Sequence, residues 1–505
     1  MDAVDQLKQD LRAGRIDVDR LLDVLVTLQR QLDATQRQLA VAKQRIEELE
    51  KQAGGPATAK CDEPFSMRAE EPRQEERGKK QRKRSKKGRR GRLTSADKVQ
   101  RAERTEKVFP EGVPPQDCQH SHTRPVWRLE NGRAVLIAYE IYRGPQNHYG
   151  KIPGVLGRSE FGLAIVVPIA YLVYVIGLSF DKVCLVLQFL QNLRLGKTQA
   201  DGLLRQLSRH GQHEFDVLCT LLAHSLVVHT DETSWRIHRV WAFLAEQARV
   251  LLFGVHKDAA TLEQVLDPQT FAGLVISDDA AVYANFTQAQ KCWAHWLRKA
   301  IKRTLQEPDN PEFRQFTDRL LEIYRQACRV QRDGRLSAAG RVRKVQGLDD
   351  AILELCAPRW VLELPPLEGP DNDYRLLVNE VMRLAIEQQL FTFVTADSAV
   401  QPNGQSQPVA GTNNEAERTL RGAATARKTG RTSKTLVGAR RQTIIVSGLE
   451  SLRLYLPTFP LPSVIAEIQR WRQAGQSCFT KLLKKLKLPQ PTESILDQLL
   501  PAPDG

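Results

Sequence analysis

Three acidic residues on three separate segments carry the clearest chemistry in this sequence. Asp231 lies in His229-Thr230-Asp231-Glu232-Thr233, Asp278 in Val275-Ile276-Ser277-Asp278, and Glu417 in Asn413-Asn414-Glu415-Ala416-Glu417-Arg418. Brought together, three carboxylates can hold two Mg²⁺ ions, with Mn²⁺ as a substitute. Such a pair serves phosphodiester cleavage and strand transfer. Any one of these acids alone would be an ordinary surface charge. The reading rests on placement, with two expected at strand ends and one on a helix.

The flanking pattern supplies those elements. Residues 225–229 read as a strand leading into Asp231, 235–244 as a second and 250–255 as a third. A short helix over 260–266 precedes a fourth strand, 274–277, which ends at Asp278. Three strands, a helix and a fourth strand open a ribonuclease-H-like α/β core, here residues 223–300. A charged, mainly helical insertion over 301–400 follows, and residues 401–456 return with the last core helices. Residues 397–412, across that boundary, are a loop rich in Gln, Pro, Gly and Ser, and Asn413 or Asn414 can cap the helix that carries Glu417.

Outside this core the chain divides further. Leu21, Leu25, Leu28, Leu32, Leu39, Ile46 and Leu49 alternate in steps of four and three, with Thr35 and Ala42 filling the seam. That is the heptad spacing of a coiled coil over 1–52, and it implies a homo-oligomer. Residues 53–105 read as a basic, disordered linker. Residues 106–150 read as a small β module in which Cys118, His120 and His122 make a poor zinc site, lacking a second pair. Residues 151–222 are helical. Their segment 179–210 is either a helix-turn-helix with Lys197, Arg205 and Arg209 toward phosphate, or a plain helical hairpin. Residues 457–505 read as a basic C-terminal tail.

Charge points to a polyanionic partner. The 505 residues carry a net charge of +15. Ten of those positive charges fall in residues 79–92 with no acid among them: Lys79, Lys80, Arg82, Lys83, Arg84, Lys86, Lys87, Arg89, Arg90 and Arg92. A second strip runs from Arg418 through Arg421, Arg427 and Lys428 toward Arg441, also without an acid. Both suit duplex DNA, held through its phosphates. Eight scattered cysteines without a Cys-x-x-Cys pair argue against a disulfide framework and suit a reducing cytoplasm. No signal peptide is visible. Phe161 to Phe180 is 20 residues without a charge, but Pro168 and Gly177 interrupt it, so it reads as buried core and not as a membrane span.

The chain resembles the insertion-sequence-66 transposase family. The residues that carry the resemblance are His229-x-Asp231-Glu232-Thr233, Asp278 with Ala281 and Tyr283, Cys292-Trp293-Ala294-His295-x-x-Arg298, and Asn413-Asn414-x-Ala416-Glu417-Arg418-x-Leu420-Arg421. It spans roughly residues 150–455. The chain departs from the family pattern at Thr412, at Asp278-Asp279-Ala280, and in the missing paired cysteines of 106–150. The resemblance implies a DDE transposase in the bacterial cytoplasm, at the nucleoid. Asp231, Asp278 and Glu417 would be its catalytic metal ligands and His295 and Arg298 its auxiliary groups. Its DNA partners would be element ends and target, joined by accessory proteins of the same element. Two alternatives stay open: a metal-dependent nuclease without strand transfer, and an inactive coiled-coil DNA-binding regulator.

The basic run yields a direct expectation. Each phosphate contact contributes about −0.9 to the slope of log affinity against log salt. Deleting residues 79–92 should weaken binding to all duplexes by similar factors and flatten that slope. A titration of the deleted chain with an unchanged slope would show that the run faces solvent.

Overall fold

The computed structural model describes residues 93–360, 370–473 and 475–500, with scattered helical positions between 26 and 44. Residues 1–92 and 93–505 form two separate units. The coiled coil expected over 1–52 and the basic run of 79–92 lie outside the described residues, and no seam leucine is among those positions. The end of the expected linker is ordered. Ser95–Gln100 is a helix (α1), started by a capping box in which Thr94 and Asp97 bond each other's backbone.

Strands β1 (Arg104–Val108), β2 (Gln119–Glu130) and β3 (Arg133–Arg143) form the small module, in the order β1-β3-β2. Cys118, His120 and His122 each bond a near neighbour in sequence: Pro114 O, Thr123 Oγ1 and Ser121 Oγ. The uncharged stretch that follows breaks up. Helix α2 (Leu163–Ala170) contains Pro168 and runs into a π turn over Tyr171–Val175, and Gly177 then takes a φ of 77°. Among the described residues no helix is long and apolar enough to cross a membrane.

Helices α3 (Phe180–Gln191) and α4 (Lys197–Ala223) form a hairpin. The sequence left a DNA-reading pair open here. Yet α4 buries Leu203, Leu204, Leu207, Phe215 and Leu218 along its length, while Lys197 and Arg205 pair with Asp181 and Asp201. It is a core helix. Gly196 precedes its first turn, and Gln199 accepts the Gly196 N–H.

The central sheet has five strands: β4 (Val227–Ser234), β5 (Arg239–Ala245), β6 (Arg249–Val255), β7 (Leu274–Ser277) and β8 (Ala289–Lys291). Their spatial order is β6-β5-β4-β7-β8. The first three are antiparallel neighbours, and β7 and β8 run parallel to β4. A short helix α5 (Ala259–Glu263) crosses between the two halves. Residues 235–238, expected to begin the second strand, form the hairpin turn; His238 has a φ of 52° and Trp235 N donates to its carbonyl.

After the sheet come α6 (Trp293–Gln306), α7 (Pro311–Arg332), α8 (Ala338–Cys356) and α9 (Pro370–Ile386). These bury Trp296, Phe313, Phe316, Leu320 and Ile352 in a core of their own. Then α10 (Asn414–Lys428) and α11 (Leu436–Tyr455) return to the sheet. Helix α11 closes the edge of β6 with a hydroxyl ladder. Thr443, Ser447 and Ser451 accept from the N–H groups of Phe253, Leu251 and Arg249 at 2.9–3.0 Å. Four residues of helix rise about 6 Å and two of strand about 6.6 Å, so the two periods match over three rungs.

The segment expected as a tail is part of the core. Helices α12 (Leu461–Arg470), α13 (Cys478–Lys485) and α14 (Ile495–Leu499) bury Val464, Ile468, Phe479, Leu483 and Leu496 against α4 and the sheet. The lysines of α13 lie on its outer face, which gave the stretch its basic look. A buried carboxyl joins these layers: Glu214 on α4 accepts from Ser477 and is 3% exposed.

Burial raises the Glu214 pKa from 4.5 to about 7. The folded state therefore holds a proton that the unfolded chain has released. Stability should fall as pH rises from 4.5 through 7. Glu214→Gln removes that dependence. The variant should match the wild type near pH 4 and exceed it by on the order of 3 kcal/mol at pH 8. Urea unfolding at the two pH values measures this, and equal stabilities at pH 8 would show that Glu214 keeps an ordinary carboxyl pKa in the folded protein.

Candidate active site

Strand register brings the first two carboxylates together. In the parallel β4–β7 ladder, Val227 faces Leu274, Val228 faces Val275 and His229 faces Ile276. Two residues further on, the same register sets Asp231 beside Asp278. Neighbouring strands are about 4.8 Å apart. Asp231 is not at a strand end, as the sequence suggested, but inside β4, opposite Ala242. β4 continues because β5 pairs with it as far as Ser234. β7 stops at Ser277, where the Asp278 carboxylate turns back to accept Ala280 N at 3.1 Å.

Helix α10 packs across β4 and β5 and brings Glu417 in its first turn. Asn413 is the residue before the helix, but its side chain makes no capping bond, contrary to expectation. Its Nδ2 instead donates to Thr230 O at 2.7 Å, next to Asp231. Its backbone N–H donates to Cys292 Sγ at 3.1 Å, and Trp293 N donates to Gly411 O at 3.0 Å. A wholly buried amide thus ties β4, the start of α6 and the start of α10 at one point. Asparagine before a helix reads as a cap from sequence alone, so this cross-link was missed.

His295 and Arg298 stand on one face of α6 and both meet Glu417. Arg298 Nη2 donates to Glu417 Oε1 at 2.6 Å, and His295 Nε2 lies 3.7 Å from the same oxygen. Burial first, then Arg298, lowers the His295 pKa, which favours a neutral imidazole. Lys291, missed by the sequence reading, lies 4% exposed beneath Asp278 and donates to its carbonyl at 3.3 Å.

The charge balance of the site is uneven. Burial, reinforced by Glu232, Asp278 and Glu417, raises the Asp231 pKa to about 7, against the opposing pull of the Glu232 N–H. Among the described residues neither Asp231 nor Asp278 forms an ion pair, and their carboxylates accept only the N–H groups of Glu232 and Ala280. Their acidic neighbours are committed elsewhere. Glu232 pairs with Lys257, Asp279 with Arg383, and Glu415 with Arg249 at 2.6 Å. The unpaired, like-charged oxygens that remain fit divalent cations bound through oxygen.

The second basic strip is partly as expected. Arg418, Arg421, Arg427 and Lys428 are exposed on α10, with Arg427 also reaching Ser234 O. Arg440 and Arg441 turn inward to Asp497 and Asp201 and leave the strip. Beside it opens a groove of about 780 Å³ lined by Lys197, Trp235, Thr425, Arg431 and Lys434.

The family model described as "Transposase IS66 family" matches residues 158–441, more than half of the chain. That span contains all three carboxylates, His295, Arg298 and the strip on α10. No curated protein matches the chain.

The Asn413 cross-link is testable by itself. Asn413→Ala removes the donor to Thr230 O within a buried setting and should destabilise the chain by about 1–3 kcal/mol. Chemical denaturation gives the value. An unchanged midpoint would mean that the amide does not hold α10 to β4.

Proposed function

Because the chain belongs to the IS66 transposase family, we propose that it is a DDE transposase that cleaves DNA and transfers its strands with Mg²⁺. The observation that carries this reading is the set Asp231, Asp278 and Glu417, drawn to one end of a sheet although the first and last lie 186 positions apart in sequence. The strand order β6-β5-β4-β7-β8, antiparallel and then parallel, supports a ribonuclease-H-like core. Helices α6 to α9 stand where the sequence predicts an insertion between Asp278 and Glu417.

Asp231, Asp278 and Glu417 would hold two Mg²⁺ or Mn²⁺ ions, which supply an activated water or 3′-hydroxyl and a stabilised leaving oxygen. The protein's own groups prepare that site. As a metal ligand Asp231 would have to be ionised, and burial with its acidic neighbours raises its pKa to about 7, so binding there would release a proton. Arg298 donates to the Glu417 oxygen and is more than half exposed, so its guanidinium would be free to turn to a phosphate. Arg418, Arg421, Arg427 and Lys428 hold the DNA backbone. Two DNA ends must be joined, which the N-terminal heptads serve by pairing subunits.

The ion pairs of Asp279 and Glu415 set them apart from unpaired Asp231 and Asp278, and Glu417 differs from Glu415 in standing beside His295 and the exposed Arg298. Asp231→Asn, Asp278→Asn and Glu417→Gln should each abolish Mg²⁺-dependent cleavage, a loss of at least about 10²–10³-fold. Glu415→Gln and Asp279→Asn should retain most activity, because those carboxylates already face Arg249 and Arg383. Cleavage and joining assays on end-bearing duplexes decide it. An active Glu417→Gln beside an inactive Glu415→Gln would move the third ligand, and cleavage without joining would make the chain a nuclease.

A further inference from the structure

We propose that Cys292, His295 and Glu417 form a site for a thiophilic divalent cation, Zn²⁺ by its chemistry, that antagonises Mg²⁺ at the active site. One donor atom from each, a thiol sulfur, an imidazole nitrogen and a carboxylate oxygen, lies within 4.8 Å of the other two. Among the described residues this is the one such cluster of His, Cys, Asp and Glu. The antagonism rests on the assignment of Glu417 as a Mg²⁺ ligand; the binding does not.

The elements explain why these atoms meet. Cys292 is the residue before α6 and His295 lies three positions on, so the start of one helix presents both. Glu417 comes from the first turn of α10, locked to Cys292 by the bond from Asn413 N to Sγ. That N–H also steadies the thiolate that forms when the thiol proton leaves to solvent and a sulfur–metal bond replaces it. His295 Nδ1 is buried without a hydrogen-bond partner. Tetrahedral bonds of about 2.0–2.3 Å require donors roughly 3.3–3.6 Å apart, a contraction that side-chain rotation can supply.

The donor types choose the ion. Mg²⁺ takes oxygen ligands in near-ideal octahedral geometry, and a thiol with an imidazole does not supply them. Sulfur, nitrogen and carboxylate oxygen together suit Zn²⁺, with a fourth position left for water. Arg298 must release Glu417, and its exposure makes that exchange cheap. Once bound, Zn²⁺ holds the carboxylate that the catalytic pair needs, so the two metal states exclude each other.

Cobalt reports the site directly. Metal-free, reduced full-length chain titrated with Co²⁺ should develop a thiolate-to-cobalt charge-transfer band in the near ultraviolet and strong visible bands of tetrahedral cobalt. Zn²⁺ should erase both. Cys292→Ser and His295→Ala should each weaken this binding by at least about tenfold, the lower bound seen even for outer-shell losses. Cys118→Ser should not. Thermal melts check folding, and because the His295 side chain is about one-third exposed, His295→Ala decides alone should Cys292→Ser not fold. A folded wild type without these bands, or bands that persist in His295→Ala, overturns the site. Micromolar Zn²⁺ should also inhibit cleavage in millimolar Mg²⁺; cobalt binding without that inhibition overturns the antagonism. A chain inactive in every metal but with the cobalt spectrum intact counts against the transposase reading alone.

Discussion

Bringing carboxylates together costs free energy, and the buried Asn413 amide is where this fold opposes that cost. Asp231, Asp278 and Glu417 repel one another, and repulsion alone would swing the helix carrying Glu417 away from the sheet. Asn413 bonds the Thr230 carbonyl with its side chain and Cys292 with its backbone. One residue therefore fixes the distance from α10 to β4 and from α10 to α6. The parallel register of β4 and β7 does the same for the two aspartates through ladder hydrogen bonds. Neither device uses a positive charge, so neither offsets the negative charge of the three carboxylates.

A second layer of selection comes from the cations around the site. The sequence offers Glu232, Asp279 and Glu415 as competitors at nearly the same positions. Lys257, Arg383 and Arg249 neutralise these three. Lys291 under Asp278 is itself depressed by burial, its charge drawn back by Asp279 and Asp278. The contrast between paired neighbours and unpaired Asp231 and Asp278 distinguishes the acids more sharply than their exposure does.

Much of this was legible in the sequence because period and punctuation are local. The short apolar runs at 250–255 and 274–277 marked their strands almost to the residue. Spacing on α6 put His295 and Arg298 on one face, and both do reach Glu417. What failed depended on contacts between distant segments. Asn413 was a cap by propensity and a cross-link by tertiary structure. Asp231 was placed at a strand end because the apolar run stops at Val228, while pairing with β5 carries the strand on to Ser234. The lysines of α13 suggested a solvated tail, although Phe479 and Leu483 on the same helix are fully buried. Arg440 and Arg441 looked like further phosphate contacts until Asp497 and Asp201 arrived from elsewhere in the chain.

The hydroxyl ladder on α11 bears on how copies of this chain meet. A strand at the margin of a sheet ordinarily recruits another strand through its unpaired amides. At β6 those amides are taken by Thr443, Ser447 and Ser451. At the far margin, Lys291 N donates to Gln389 O, and buried Gln290 binds Leu390 O and Phe393 N. The sheet is sealed on both flanks by its own chain. Copies therefore cannot join by extending it, and this core is spared one common route to fibrils. Any contact between copies that respects these flanks leaves intact the sheet that carries Asp231 and Asp278.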